Sequence, residues 1–213
     1  MAPRNLYLSW VADSGRVYGG RSEDERRNDR RTRLLGAGLE LFGTEGWQAA
    51  TIERLCSVAG VATRSFYEEF ASREALLRAV YEGIMGGVLA TVLPQVQAAD
   101  TGNEDRIRLG LSGYVRYLTE DPRRARVAHK EVRLAGVLEN DRAAMVRRFA
   151  AVIAEEARID DGAQGRALGL ALTGAVSEVL VDWVAQPEPR PRTEPMVEAL
   201  VRLYVAAITP VEA

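Results

Sequence analysis

The sequence predicts an all-α protein, with an N-terminal three-helix helix-turn-helix domain followed by a larger C-terminal helical domain. Apolar residues recur at three- and four-residue spacing along most of the chain, and no run of alternating residues reads as a strand. Within residues 51–77 the periods are short and broken by a Gly-centred turn, whereas the later periods are long.

In chain order, residues 1–20 carry no helical period and read as a flexible arm, although Leu6, Leu8, Trp10 and Val11 are apolar. The charge run from Arg21 to Arg33 leads into Leu34, Leu35, Ala37, Leu39, Leu41 and Phe42, the pattern of an amphipathic helix. That helix should stop at Gly43 to Gly46, with Gly46 in the left-handed position. Thr51 caps a short helix bearing Ile52, Leu55, Cys56 and Val58, and Ala59-Gly60-Val61 forms a turn. Ala62 to Phe70 is a second short helix with Phe66 and Phe70 on one face. Ser72 then caps a long helix expected to end near Pro94. Further helices are expected over residues 103–119, 123–135, 141–158, 163–185 and 193–209, with Asp121-Pro122 starting one and the loop PEPRPRTEP preceding the last.

Composition narrows the function. Net charge is −2, so any nucleic-acid contact must be local. A single cysteine, Cys56, excludes internal disulfides, and with a single histidine, His129, a multi-ligand Cys/His metal site is not available. No metal or cofactor is expected. The same scarcity argues against an enzyme, since Asp160-Asp161 and Glu155-Glu156 read as helix-end and surface charges. No uninterrupted apolar run reaches the roughly 18 residues of a membrane span, and no signal peptide is legible, so a cytoplasmic protein without membrane contact is expected.

The segment TIERLCSVAGVATRSFYEEFASREALL is the most informative. Ile52, Leu55, Val58, Val61, Phe66 and Phe70 are available to fill a small core between two steeply crossing helices. Thr63, Arg64, Ser65, Tyr67 and Glu68 then point outward, and short, polar or planar side chains are what a helix entering the DNA major groove presents. Gly46, Thr51, Ile52, Ala59-Gly60-Val61, Phe66-Tyr67, Phe70, Ser72 and Glu74-Ala75-Leu76-Leu77, preceded by GLELFGTEG, resemble the TetR family of bacterial repressors. The specific resemblance covers residues 30–81; beyond it only the number, length and order of helices agree.

The resemblance implies a DNA-binding domain over residues 21–71 and a ligand-binding and dimerisation domain over residues 72–213. It implies a homodimer paired through the helices 163–185 and 193–209, bound to a palindromic double-stranded operator and released by a small-molecule effector. Thr51 would approach a phosphate; Thr63, Arg64 and Ser65 would reach base edges, with Arg64 able to grip guanine bidentately; Tyr67 and Arg73 would bond phosphates. Ala62 departs from the family's usual polar cap, and Glu53, Glu68 and Glu69 make the reading segment acidic. Basic charge for DNA is therefore expected from Arg21, Arg26, Arg27, Arg30, Arg31 and Arg33. Effector-binding candidates are Met85, Leu89, Tyr114, His129, Arg133, Phe149, Glu178 and Trp183, with Leu111 and Tyr117 beside them, and mostly apolar walls suggest a hydrophobic ligand. The alternative is a TetR-like ligand-binding or interaction module without operator binding. A helical enzyme and a non-specific DNA-bending protein fit the composition less well.

Overall fold

In the computed structural model, residues 22–136, 138–156 and 162–208 are described, and they contain helices and no strand. The expected arm (residues 1–20) and Arg21 lie outside them, as does the end of the helix expected over 141–158.

Helix α1 (Glu23–Thr44) starts at a capping box. The Ser22 Oγ accepts from the Glu25 N–H, and the Ser22 N–H donates to the Glu25 carboxylate at 2.7 Å. Three acidic residues in its first turn suit the positive end of the helix dipole. Gly46 stops it at φ 93°, and Gly60 ends α2 (Ile52–Ala59) at φ 63°, both left-handed positions where a side chain would be strained. The Thr51 hydroxyl caps α2 by accepting from the Arg54 N–H at 3.3 Å. Helix α3 (Thr63–Glu69) has no side-chain cap at Ala62, as the sequence indicated, and is held by Phe66, which is wholly buried. Val58 does not join this core: it faces outward, 53% exposed, while Val61 packs in from the turn. The buried face of α2 is Leu55, Cys56 and Ala59, and the helical period sets Val58 to one side of it, toward solvent.

Helix α4 (Arg73–Ala98), capped by the Ser72 hydroxyl, runs through Pro94 instead of ending before it. Val96, two residues later, is buried beside Gly110 of α5 (Asn103–Thr119), and that packing keeps the helix going past the N–H that proline lacks. The segment expected as one helix over 123–135 is α6 (Pro122–Arg126), a π-helical turn (Val127–Glu131) and α7 (Val132–Ala135). Helices α8 (Glu139–Glu156), α9 (Ala163–Ala185) and α10 (Glu194–Ile208) complete the described chain.

One core runs from Leu34, Phe42 and Phe66 through Leu76, Ile84 and Leu118 to Leu180, Val201 and Tyr204. Helix α1 lies on α2, α4 and α6; α4 and α10 flank α5; and α8 pairs with α9. Both α4 and residues 165–185 of α9 are long and apolar enough to cross a membrane, which a count of uninterrupted apolar residues had not shown because Glu82, Glu178 and Asp182 interrupt the runs. Half of the apolar stretch of α4 is buried inside the protein; only 28% of that of α9 is.

Candidate DNA-reading head and effector cavity

The outer face of α3 is open. Thr63 and Arg64 are exposed, the Arg64 side chain at 92%, and Tyr67 is 56% exposed with its ring set edge-on to Phe66, the centroids 5.5 Å apart. Ser65 is half-buried. The Arg64 Nε lies 3.5 Å from Glu68, one turn on, a solvent-screened pair that leaves the guanidinium free to move. Thr51 sits exposed at the start of α2, its oxygen accepting from Arg54. Glu53 beside it has its carboxyl lowered by the backbone N–H bond and the Thr51 hydroxyl.

Arg73, assigned to a phosphate by resemblance, is engaged inside the head. Its Nη1 donates to the carbonyls of Trp47 (3.2 Å) and Ala50 (3.3 Å), and its guanidinium lies 3.7 Å from the Trp47 ring centroid. The arginines of α1 are engaged too. Arg30 pairs with Glu69 at 3.3 Å, Arg31 donates to the Glu69 carbonyl and covers the Phe70 ring, and Arg33 donates to the carbonyls of Ala59 and Gly60. Arg27 lies 3.5 Å from Glu69. The expected basic surface is therefore, among these four, a set of clamps that hold α3 and neutralise its acidic end. The sequence could not reveal this because the partners are 26 to 42 residues away.

The head is fixed to the rest of the protein by a buried carboxylate. Glu131, 2% exposed, accepts from the Trp47 backbone N–H at 2.7 Å and from the Arg126 Nε at 2.8 Å. Arg126 also donates to the Thr44 carbonyl at 2.6 Å, so the end of α1 and the loop before α2 are both tied to the π turn.

A cavity of about 130 Å³ lies between α4, α5, α8, α9 and α10. Its walls are almost wholly apolar, with Val88, Leu89, Leu111, Phe149 and Val176 among them. A smaller chamber of about 30 Å³ adjoins it, sharing Tyr114, Phe149 and Thr173, and is lined by Tyr81, Met85, His129, Arg133, Arg142 and Ser177. His129 is 7% exposed; its Nε2 is 3.1 Å from the Tyr114 hydroxyl and its Nδ1 is 3.0 Å from the Ser177 Oγ. Burial, with the Arg133 charge second, pushes its pKa down to about 4, so the ring is neutral near pH 7. Burial likewise raises the phenols of Tyr114 and Tyr81, the latter to about 12.

Of the effector candidates, Met85, Leu89, Tyr114, His129, Arg133 and Phe149 thus line one or both chambers. Glu178 and Trp183 line neither. Glu178 is exposed and paired with Arg133, while the buried Trp183 indole donates to the Pro191 carbonyl at 2.9 Å. Tyr117 is also outside, under the Arg124 guanidinium. Sequence reasoning missed Ser177, Thr173, Arg142 and Tyr204. The first two stand four residues apart in the otherwise apolar stretch 167–177 of α9, a legible signal for a polar stripe facing inward.

Residues 34–80 match the family described as bacterial regulatory proteins, tetR family. Among curated proteins, the HTH-type transcriptional activator FasR of Mycolicibacterium smegmatis is 29% identical over 108 residues, 50% of this chain and 49% of the relative. The HTH-type transcriptional regulator UidR of Escherichia coli is 34% identical over 50 residues, 24% of this chain and 26% of UidR. The matches thus span half or less of these relatives. Among solved structures, FadR of Bacillus subtilis in complex with stearoyl-CoA superimposes with a TM-score of 0.70 at 17% identity, covering 83% of this chain and 98% of FadR. The fatty acid degradation regulator FadR of Bacillus halodurans gives 0.72 at 17%, covering 88% and 97%. The matched head, the curated regulators and the shared all-helical fold lead to one conclusion: residues 34–80 form a DNA-binding helix-turn-helix of the tetR family type, carried on a chain with the fold of solved TetR-like regulators.

Proposed function

We propose that the protein is a cytoplasmic homodimeric repressor whose two α3 helices enter successive major grooves of a palindromic operator, and which a hydrophobic effector releases. Residues 21–71 act as the reader and residues 72–213 as the sensor and dimerisation unit. Thr63, Arg64 and Ser65 meet base edges, and Thr51 and Tyr67 meet phosphates. Arg73 supports the loop before α2 instead of reaching the DNA. The observation that carries this reading is the joining of an exposed Thr63–Tyr67 face and an apolar cavity within one continuous core. A chain-like ligand such as the stearoyl-CoA bound by the FadR of Bacillus subtilis suits those walls.

The test is fluorescence anisotropy of the protein on labelled fragments of its own upstream region, at two salt concentrations. The reading expects saturable, salt-weakened binding that competitor DNA does not abolish and that Arg64→Ala and Tyr67→Phe both weaken. Glu68 and Glu69 at the end of α3 favour a second reading, a ligand-binding module without an operator, and absence of binding at low salt would select it. Reporter transcription in a deletion strain separates repression from activation, the role named for FasR.

A further inference from the structure

The polar chamber beside the apolar cavity has a countable set of hydrogens. Tyr114 and Ser177 each bring one hydroxyl hydrogen, and the neutral His129 ring brings one N–H, for two contacts. In one tautomer the Tyr114 hydroxyl donates to Nε2 and Nδ1 donates to Ser177, leaving the Ser177 hydrogen over. In the other, Ser177 donates to Nδ1 and Nε2 donates to Tyr114, leaving the Tyr114 hydrogen over. Either way the chain has one spare donor, and neither hydroxyl has another partner among the described residues. Ser177 lines the polar chamber and Tyr114 lines both, so the spare donor faces the polar chamber in either tautomer and, when it is the Tyr114 hydroxyl, stands where the two spaces meet.

The charges around it are already balanced. Arg133 is paired with Glu178, and Arg142 holds Glu139 through two bonds at 2.6 and 3.1 Å. At the Tyr114–His129–Ser177 chain itself a free carboxylate would meet a neutral imidazole and a single neutral donor, while each neighbouring guanidinium already holds an acid, and a buried charge without a partner is strongly disfavoured. An uncharged carbonyl oxygen needs only the one donor that is left over.

Building on the hydrophobic-effector reading, we infer that the effector is an ester- or thioester-type acyl compound: its uncharged carbonyl oxygen is received by the Tyr114–His129–Ser177 chain while its hydrocarbon part fills the cavity lined by Val88, Leu111 and Val176. Selection against the free acid follows from the neutrality of that chain.

Isothermal titration of the intact protein at pH 7.5 with methyl decanoate, decanoyl-N-acetylcysteamine thioester and sodium decanoate tests this. The ester or the thioester should bind at least tenfold more tightly than decanoate, and which of them binds more tightly identifies the natural linkage. Tyr114→Phe/Ser177→Ala, which removes both hydroxyls at nearly unchanged volume, should lower affinity for the preferred probe about fivefold or more, the worth of one neutral hydrogen bond. Ser177→Ala alone, with thermal melts of both variants, guards against a folding defect. Equal binding of all three probes, or preference for decanoate, overturns the headgroup assignment while leaving the hydrophobic-effector reading intact. A decanoate preference lost in Arg106→Ala would place the head at the opposite end of the cavity. Binding of none of the probes overturns both.

Discussion

His129 is a buried base held neutral, and that sets the sign of its effect on stability. Its pKa is about 4 in the folded protein and 6.5 in a solvated chain, so the unfolded state binds more protons between those values. Its contribution is complete above pH 6.5 and falls away by about 3 kcal/mol as the pH drops toward 4. Glu74, held down by the Ser72 hydroxyl, and Glu139, held down by Arg142, add their own losses only below about pH 4.5. Urea unfolding between pH 7 and 4.5 should therefore show a loss of stability that His129→Gln flattens; an unchanged slope in that variant would reject the assignment. Tyr204 has the opposite character. Its hydroxyl is buried without a hydrogen-bond partner among the described residues, and an unsatisfied polar atom costs about 1–3 kcal/mol. Tyr204→Phe should raise the melting temperature by about 2–4 °C, and a fall would mean that an ordered water satisfies the hydroxyl.

At the scale of elements, the π turn does two jobs from one segment. His129 faces the polar chamber, while Glu131, two residues on, reaches into the loop between α1 and α2. Wide π turns inside helices re-aim neighbouring side chains, and here a regular α-turn would set these two side chains at a different angle. Glu131→Ala would leave the Trp47 N–H and part of the Arg126 guanidinium without a partner, a loss of about 3 kcal/mol in chemical denaturation. Glu131→Gln keeps an oxygen for the Trp47 N–H and should lose less; equal losses would show that the charge on Arg126 dominates. The same logic explains the arginines of α1. Their spacing reads as a basic strip, yet their partners on α3 and in the Gly60 turn turn them into clamps.

For the whole molecule, α9 is the element that a single chain does not satisfy. Its apolar stretch is 28% buried, and Leu170 on it and Leu203 on α10 are 42% and 46% exposed. Apolar exposure of this kind on neighbouring helices suits a self-complementary pairing. If the proposed homodimer pairs through this face, Leu170→Glu with Leu203→Glu should give a monomer in light scattering after gel filtration where the unmodified chain gives a dimer. It should also weaken operator binding, since a monomer loses the second half-site. A dimer that survives both substitutions would place the interface elsewhere.

The sequence by itself determined the all-helical class, the caps at Thr51 and Ser72, the left-handed Gly46, the turn at Gly60 and the outward face of α3. These are local matters of period, capping oxygen and backbone conformation, each complete within about one helical turn. It also found six of eight cavity-lining candidates, because large apolar and lone polar side chains on long helices usually face inward. Tertiary structure decided the rest. Val58 turned outward, α4 continued past Pro94, Trp183 and Glu178 took structural partners, and Arg73 went to the Trp47 carbonyl instead of outward. In each case the deciding partner lies on another element or across a loop, and helical periodicity gives the face of a residue without naming what will stand against it.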